Sequence, residues 1–192
     1  MRGLCRFFIT AKIKMGQIFF YLILRLLRWN IDRAPIDKDR GAVLAFFPHE
    51  SNFDAILGFL TFKINGLHPK TLAKSELFWF PFGIIMRFLG GIPVYRSSSS
   101  DMVSQMVKRF NEDPCFFLAI APEGTRKRAE TVKSGFWYIA KGANVPIHLF
   151  LIDKKNRRIR RLETLYPQGT YEEDIKKIAN IYSKSGYKLP GF

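Results

Sequence analysis

Three short runs of almost uninterrupted apolar residues constrain the fold of this chain most strongly: AVLAFF (42–47), CFFLAIA (115–121) and VPIHLFLID (145–153). Runs of this length and composition are typical of strands that are covered on both faces, as in a parallel sheet. TLAK (71–74) and GIPVY (91–95) predict two further strands. RRIRRLETLY (157–166) predicts an antiparallel hairpin partner for the run that precedes it.

Helical patterns fill the intervals between these strands. We predict helices over residues 52–63, 77–89 (disturbed by Pro81 and Gly83), from the SSSSD segment to about Glu112, and over 134–143. A last helix begins at Thr170, with Glu173 in capping-box position. Strands alternating with helices predict an α/β fold: a mixed, largely parallel central sheet flanked by helices, formed by residues 35–192.

Residues 1–34 have a different character. The run IFFYLIL (18–24) is apolar, but Arg25 and Arg28 follow at once, so it is too short for a membrane-spanning helix. No small-residue cleavage site of a secretory signal follows it. The mixture of bulky apolar and basic residues predicts an amphipathic helix in the membrane interface. The alternative is an amphipathic helix that packs on its own domain.

The net charge of the chain limits the kinds of molecule that it is expected to bind. The 192 residues carry a net charge of +15, which indicates an anionic partner: nucleic acid, a membrane surface or a phosphorylated small molecule. The aromatic residues lie mainly within apolar runs and no nucleic-acid-binding motif is present, so we expect no nucleic acid. Two cysteines cannot form a metal site, and Cys115, in an apolar run, is expected to be buried. We expect no metal and no bound cofactor.

The segment PHESNFD (48–54) follows the first apolar run and has two interpretations. With Ser51 as N-cap, Asp54 stands at the third helical position, an acidic variant of the capping box. This explains Asp54 but leaves His49 unexplained. If His49 lies in the turn before the helix and points back, the carboxylate could accept a hydrogen bond from one imidazole nitrogen while the other takes a proton.

Three more motifs stand at predicted strand ends, where ligand sites of open α/β sheets gather. Glu123-Gly124-Thr125-Arg126 follows the second apolar run, and its glycine permits a sharp turn. GGIPVYR ends in Arg96, a second cation suited to a phosphate. VPI (145–147) begins the third run. The basic clusters 127–128 and 154–161 could bind acidic molecules or discourage edge pairing, and His148 and His68 are expected in the core and in a loop.

In this order and at this spacing, the four motifs HESNFD, GGIPVYR, EGTR and VPI resemble those of the glycerolipid acyltransferases. Bacterial 1-acyl-sn-glycerol-3-phosphate (lysophosphatidic acid) acyltransferases are the nearest resemblance, over roughly residues 40–150. Lys74-Ser75-Glu76-Leu77 also resembles the segment before the second motif. Pro48 and the basic pair after Arg126 depart from the usual pattern and leave the acceptor open.

The resemblance implies acyl transfer from acyl-CoA or acyl carrier protein to a hydroxyl of a lysophospholipid at a membrane, without a covalent acyl-enzyme. It implies a peripheral or monotopic protein on the cytoplasmic face. His49 would be the general base and Asp54 the residue that orients it. The positions similar to the family's acceptor-binding and supporting residues are Arg96, Glu123, Gly124, Thr125, Arg126, Lys74, Ser51, Asn52 and Pro146. Another lipid hydroxyl as acceptor, or a lipid-binding protein without catalysis, are the alternatives.

Overall fold

A computed structural model describes residues 13–32, 36–94, 99–124 and 130–192 of the chain. Within these ranges, seven strands form one sheet in the order β1-β7-β6-β2-β5-β3-β4. Their bounds are β1 Asn30–Ile31, β2 Ala42–Phe47, β3 Lys70–Lys74, β4 Gly91–Val94, β5 Phe117–Ile120, β6 Ile147–Asp153 and β7 Arg158–Leu165.

The pairing of the strands makes the sheet mixed but largely parallel. β2 lies between β5 and β6, parallel to both, and β3 is parallel to β5 and β4. β7 runs antiparallel to β6, as its hairpin position predicts. This confirms the predicted fold class. The two-residue β1, parallel to β7, was not predicted, because two residues carry no periodicity that a sequence could reveal.

Among the described residues, six α-helices surround the sheet: α1 Ile13–Leu26, α2 Asn52–Asn65, α3 Phe82–Phe88, α4 Ser99–Glu112, α5 Gly135–Gly142 and α6 Tyr171–Lys184. Capping explains several of their ends. Ser51 and Thr170 each close a capping box, with Asp54 and Glu173 as the acidic partners. Gly66 ends α2 at φ 66°, a conformation that glycine adopts without steric cost. The predicted helix over 77–89 is divided into a 3-10 turn, Ser75–Phe78, and α3.

The sheet buries a hydrophobic core on each face, because the side chains of a strand alternate between the two sides. Val43, Ala45 and Phe47 of β2 pack with α4, α5 and α6, whereas Leu44 and Phe46 pack with α1 and α2. All six residues of β2 are buried, which agrees with the uninterrupted apolar run. One expectation was wrong: Cys115 is exposed, because β5 begins two residues after it.

The first helix packs on the domain with one face only. Leu24 is fully buried and the ring of Phe20 contacts Phe59 of α2, while the side chains of Ile18, Phe19 and Leu22 are exposed. The basic residues at positions 2, 6 and 12 of the predicted amphipathic helix lie outside the described residues. Within the described part of the chain, no helix is long and apolar enough to cross a membrane. Membrane association of this helix stays a prediction.

Candidate active site

The carboxyl ends of five parallel strands meet at one edge of the sheet, and most of the motif residues follow them directly. β2 leads into Pro48 and His49, and β5 leads into the turn that contains Glu123. β3 ends at Lys74, β4 ends at Val94, and β6 leads into Lys154. Because these strands are mutually parallel, the topology brings segments together that lie up to a hundred residues apart in sequence.

Asp54 is a buried carboxylate held by the turn between β2 and α2. Its Oδ2 atom accepts hydrogen bonds from the backbone N–H groups of Glu50 and Ser51, both at 2.7 Å. The Ser51 hydroxyl accepts in return from the Asp54 backbone N–H at 3.3 Å. The helix-capping interpretation is therefore confirmed. Asp54 Oδ1 is also buried, but it has no hydrogen-bond partner among the described residues.

Lys154 is a cation that the sequence analysis did not connect with Asp54. Its Nζ lies 3.3 Å from Asp54 Oδ2 and 2.7 Å from Glu50 Oε2. Partial burial works against its charge, but the hydrogen bond to Glu50 and the attraction of Asp54 outweigh burial and raise the pKa of Lys154. The lysine therefore stays charged at neutral pH. One indication of this contact was present in the sequence: Lys154 directly follows β6, and the carboxyl end of β6 lies at the same edge of the sheet as Asp54.

Glu123 joins the first and third motifs. It is buried, its Oε2 accepts from the backbone N–H of His49 at 2.8 Å, and its Oε1 accepts from the Tyr187 hydroxyl at 3.1 Å. Both carboxylate oxygens therefore have partners within the protein. In this structure Glu123 positions the turn that carries His49. No sequence pattern pointed to Tyr187, which lies beyond α6 and 64 residues from Glu123.

The other predicted site residues are placed as follows. Gly124 adopts φ 65° and its N–H donates to the carbonyl of Ala121 at 3.0 Å, so the motif makes the sharp turn that a glycine permits. Asn52 is the exposed first residue of α2, and Lys74 is the last residue of β3. Arg96, Thr125 and Arg126 lie outside the described residues. Their predicted contacts with an acceptor stay predictions.

Pro146 does not share the edge of the sheet with His49. It is buried, and its carbonyl accepts from the backbone N–H of Val43 near the amino end of β2, at 2.9 Å. The VPI motif precedes β6 instead of following it. The amino ends of parallel strands lie at the edge opposite their carboxyl ends, so the expectation that all four motifs gather at ligand-binding strand ends was wrong for this one.

The basic cluster 154–161 is used largely for contacts within the protein. Arg158 pairs with Asp32, and Arg160 donates to the carbonyl of Ser185 at 3.3 Å. Arg161 contacts the imidazole of His148, which is buried in β6. Burial first and Arg161 second lower the pKa of His148 to about 4, so this histidine is neutral at physiological pH. The prediction of His148 in the core and of His68 in a loop agrees with the structure.

The described residues contain no group of three or more His, Cys, Asp and Glu side chains that could hold a metal ion. The edge of the sheet instead combines a histidine in a turn, a buried aspartate with one oxygen unpartnered, and a glutamate that fixes the backbone of the turn. Imidazole and carboxylate are groups that can take up and release protons, so this end of the sheet carries the residue types that acid–base chemistry requires.

Comparison with known proteins agrees with this arrangement. Residues 28–152, well over half of the chain, match the family model described as Acyltransferase. The chain belongs to the acyltransferase family. The matched region contains the turn with His49 and Asp54, the Glu123 turn, strands β1 to β5, and β6 up to its last residue.

Among solved structures, this acyltransferase is similar to the crystal structure of the 1-acyl-sn-glycerophosphate (LPA) acyltransferase PlsC from Thermotoga maritima. The sequence identity is 18%, the TM-score is 0.53, and the alignment covers 91% of this chain and 80% of that one. At this identity the likeness supports the fold alone. No curated protein matches the sequence.

Proposed function

We propose that this acyltransferase moves a fatty acyl group from an acyl thioester to a hydroxyl of a lysophospholipid such as 1-acyl-glycerol-3-phosphate. The assignment as an acyltransferase rests on the match to the family model. The lysophospholipid acceptor rests on the motif resemblance, on the PlsC-like fold and on the strongly basic composition. Acyl-CoA and acyl carrier protein are both acidic donors, which a basic protein attracts.

In the proposed mechanism neutral His49 takes the proton from the acceptor hydroxyl as its oxygen attacks the thioester carbonyl. The tetrahedral intermediate then collapses, the carbon–sulfur bond breaks, and the imidazolium returns the proton to the departing sulfur, so that the thiol leaves and His49 is neutral again. No covalent acyl-enzyme forms and no bound cofactor takes part. Asp54 orients the imidazole and balances its positive charge, as in other acid–base pairs of histidine and carboxylate.

The unpartnered Oδ1 of Asp54 is the observation that carries this proposal. A buried acceptor without a partner costs about 1–3 kcal/mol, so native proteins rarely keep one without a reason. The other oxygen already serves the helix cap and Lys154. An N–H of the His49 imidazolium would supply the missing donor when the proton has been transferred.

The remaining acceptor contacts are proposed from the resemblance. Arg96 and Arg126 would bind the phosphate of the acceptor, with Lys74, Gly124 and Thr125 beside them. Glu123 would contribute indirectly, through its hydrogen bond to the backbone of His49. We place the protein on the cytoplasmic face of the membrane, with residues 1–34 as the anchoring segment. Loss of the protein from membranes in plain buffer, without salt or alkali, would contradict that anchoring.

The test is acyl transfer by the purified protein in detergent. Acyl-CoA and acyl carrier protein are each offered with a panel of lysolipid acceptors, and the product is identified by mass spectrometry. His49→Ala is the matched variant, because the hydrogen bond of His49 to Glu123 uses the backbone N–H and survives the substitution. We expect product from the wild type and at least a hundredfold less from the variant.

Asp54→Asn separates catalysis from capping. An amide oxygen can still accept from the Glu50 and Ser51 N–H groups, so the helix cap is retained while the negative charge is lost. We expect a folded protein with strongly reduced turnover. Equal turnover in the wild type, His49→Ala and Asp54→Asn would refute the mechanism. Absence of product from every donor and acceptor, with lipid still bound, would favour a non-catalytic lipid-binding protein.

A further inference from the structure

An unusually apolar surface follows β3, where the sequence predicted a helix over residues 77–89. Eight large apolar side chains of this stretch are exposed: Leu77, Trp79, Phe80, Phe82, Ile84, Ile85, Phe88 and Leu89. We call this set the aromatic surface. Phe80 and Phe88 are about four-fifths exposed, at 79% and 81%. So many exposed apolar side chains on one short segment indicate a binding surface.

We propose that the aromatic surface docks on an anionic lipid bilayer and holds the candidate active site against it. Tryptophan and phenylalanine are the side chains that soluble proteins insert into the boundary between headgroups and acyl chains. Four of the eight members of the surface are of these two types.

The charge of the chain segment that carries the surface favours anionic lipid over an acidic or neutral protein groove. Residues 55–100 contain a single acidic residue, Glu76. The same stretch contains five basic residues: Lys63, Lys70, Lys74, Arg87 and Arg96. Arg87 lies within the aromatic surface, with its guanidinium 5.8 Å from the ring centroid of Phe78. Apolar insertion and attraction to anionic headgroups add in this arrangement.

The aromatic surface lies near the candidate active site, so docking on a bilayer would bring the site close to lipid. The 3-10 turn Ser75–Phe78 begins directly after β3, at the sheet edge that also carries His49 and Glu123. Exposed apolar side chains on the first two turns of α2, Phe53 and Ile56, lie close to the same edge. A bilayer contacting this edge would present a lipid acceptor to the site. This argument from position rests on the proposed function, whereas the exposure and the charge do not.

The distribution of tryptophan makes the test direct. The chain has three tryptophans. Trp29 and Trp137 are 7% and 2% exposed, whereas Trp79 is 60% exposed. A change in intrinsic fluorescence on binding therefore reports the environment of Trp79, and Trp79→Phe serves as the blank. No acyl transfer is measured, so failure of this inference is distinguishable from failure of the proposed function.

The full-length protein is mixed with vesicles of equal parts phosphatidylglycerol and phosphatidylcholine, and separately with phosphatidylcholine alone. We expect a blue shift of the emission and quenching by tail-brominated lipid with the anionic vesicles. The blue shift and the tail quenching should be absent in Trp79→Phe, although that variant still sediments with the vesicles. With neutral vesicles both the shift and the binding should be several-fold weaker.

A pair of variants checks the same surface by sedimentation. Phe80→Ser with Phe88→Ser should weaken vesicle binding about tenfold or more, since two exposed rings leave the membrane without disturbing the core. Tyr138→Ser with Tyr166→Ser is the control, because both rings are exposed but lie on other segments. The control should bind like the wild type.

Three results would overturn the proposal. An unchanged Trp79 emission in protein that sediments with vesicles would assign binding to α1 or to residues before it. An emission that is already blue-shifted and shielded from aqueous quencher in the free protein would mean that the chain itself covers the surface. A shift caused by an acidic acyl carrier protein but not by vesicles would make the surface a protein-docking site.

Discussion

The Tyr187→Phe substitution tests whether the segment after α6 holds the candidate active site in place. The Tyr187 hydroxyl donates to Glu123 Oε1 at 3.1 Å, and Glu123 Oε2 accepts from the backbone N–H of His49. Phenylalanine keeps the ring, which lies 5.9 Å from that of Tyr182, and removes only the hydroxyl. The variant therefore leaves a buried carboxylate oxygen with one donor fewer.

The size of the effect follows from the charge and the burial of the partners. A hydrogen bond to a charged group contributes about 1.5–3 kcal/mol. Tyr187 is only partly buried, so water can replace some of this contribution, and we expect about 1.5 kcal/mol. That loss is roughly a tenfold change in the folding equilibrium. It should lower the urea midpoint by about 0.5–1 M at an unchanged slope.

Urea unfolding followed by circular dichroism measures the loss, with Tyr138→Phe as the control. Tyr138 is exposed, and its hydroxyl has no hydrogen bond among the described residues, so its removal should change the midpoint little. Glu123→Ala, which removes the acceptor of the Tyr187 hydroxyl without supplying a new partner, extends the test to a double-mutant cycle. We expect a coupling of about 1 kcal/mol. A midpoint for Tyr187→Phe equal to that of the wild type, with additive double mutants, would refute the reasoning.

Three further predictions concern stability. Lys154→Met should lower the free energy of unfolding by about 1–2 kcal/mol in urea, because buried Asp54 loses its cation, whereas Lys154→Arg should restore most of it. Since His148 has a pKa of about 4 in the folded protein and about 6.5 when unfolded, stability should fall as the pH falls from 6.5 to 4, by up to about 3 kcal/mol. His148→Gln should show a smaller loss over the same pH range in urea titrations. Gly41→Ala should cost about 1–3 kcal/mol by the same assay, as its methyl would meet the Phe116 carbonyl at 2.5 Å, while Gly16→Ala, with open space around it, should not destabilise.

The strands and most helices could be predicted because their signals are local. The run AVLAFF became a strand with every residue buried, and Thr170 with Glu173 became a closed capping box. Residues 77–89 were less predictable, since Pro81 and Gly83 divide the helical pattern and the apolar side chains face outward instead of into a core. An apolar residue in a sequence does not reveal whether protein or lipid covers it.

The candidate site was predictable only where its residues are close in sequence or belong to a recognisable motif. The Ser51–Asp54 cap follows from a spacing of three residues. The contacts of Lys154 with Asp54 and of Tyr187 with Glu123 join positions 100 and 64 residues apart, and they depend on the order of the strands in the sheet. The periodicity of a sequence does not reveal the order of the strands in the sheet, so these contacts could be identified only from the structure.

The two interpretations of PHESNFD describe different oxygens of one carboxylate. Oδ2 of Asp54 accepts from two backbone N–H groups and contacts Lys154, which fixes the side chain and the start of α2. Oδ1 remains buried without a partner among the described residues, oriented by the rigid cap. A carboxylate held in this way has little rotational freedom. The free-energy cost of fixing its orientation is therefore incurred when the protein folds, and not in each turnover. In the proposed proton-transfer pair, the helix cap would hold the carboxylate in one orientation, so the two roles of Asp54 are compatible.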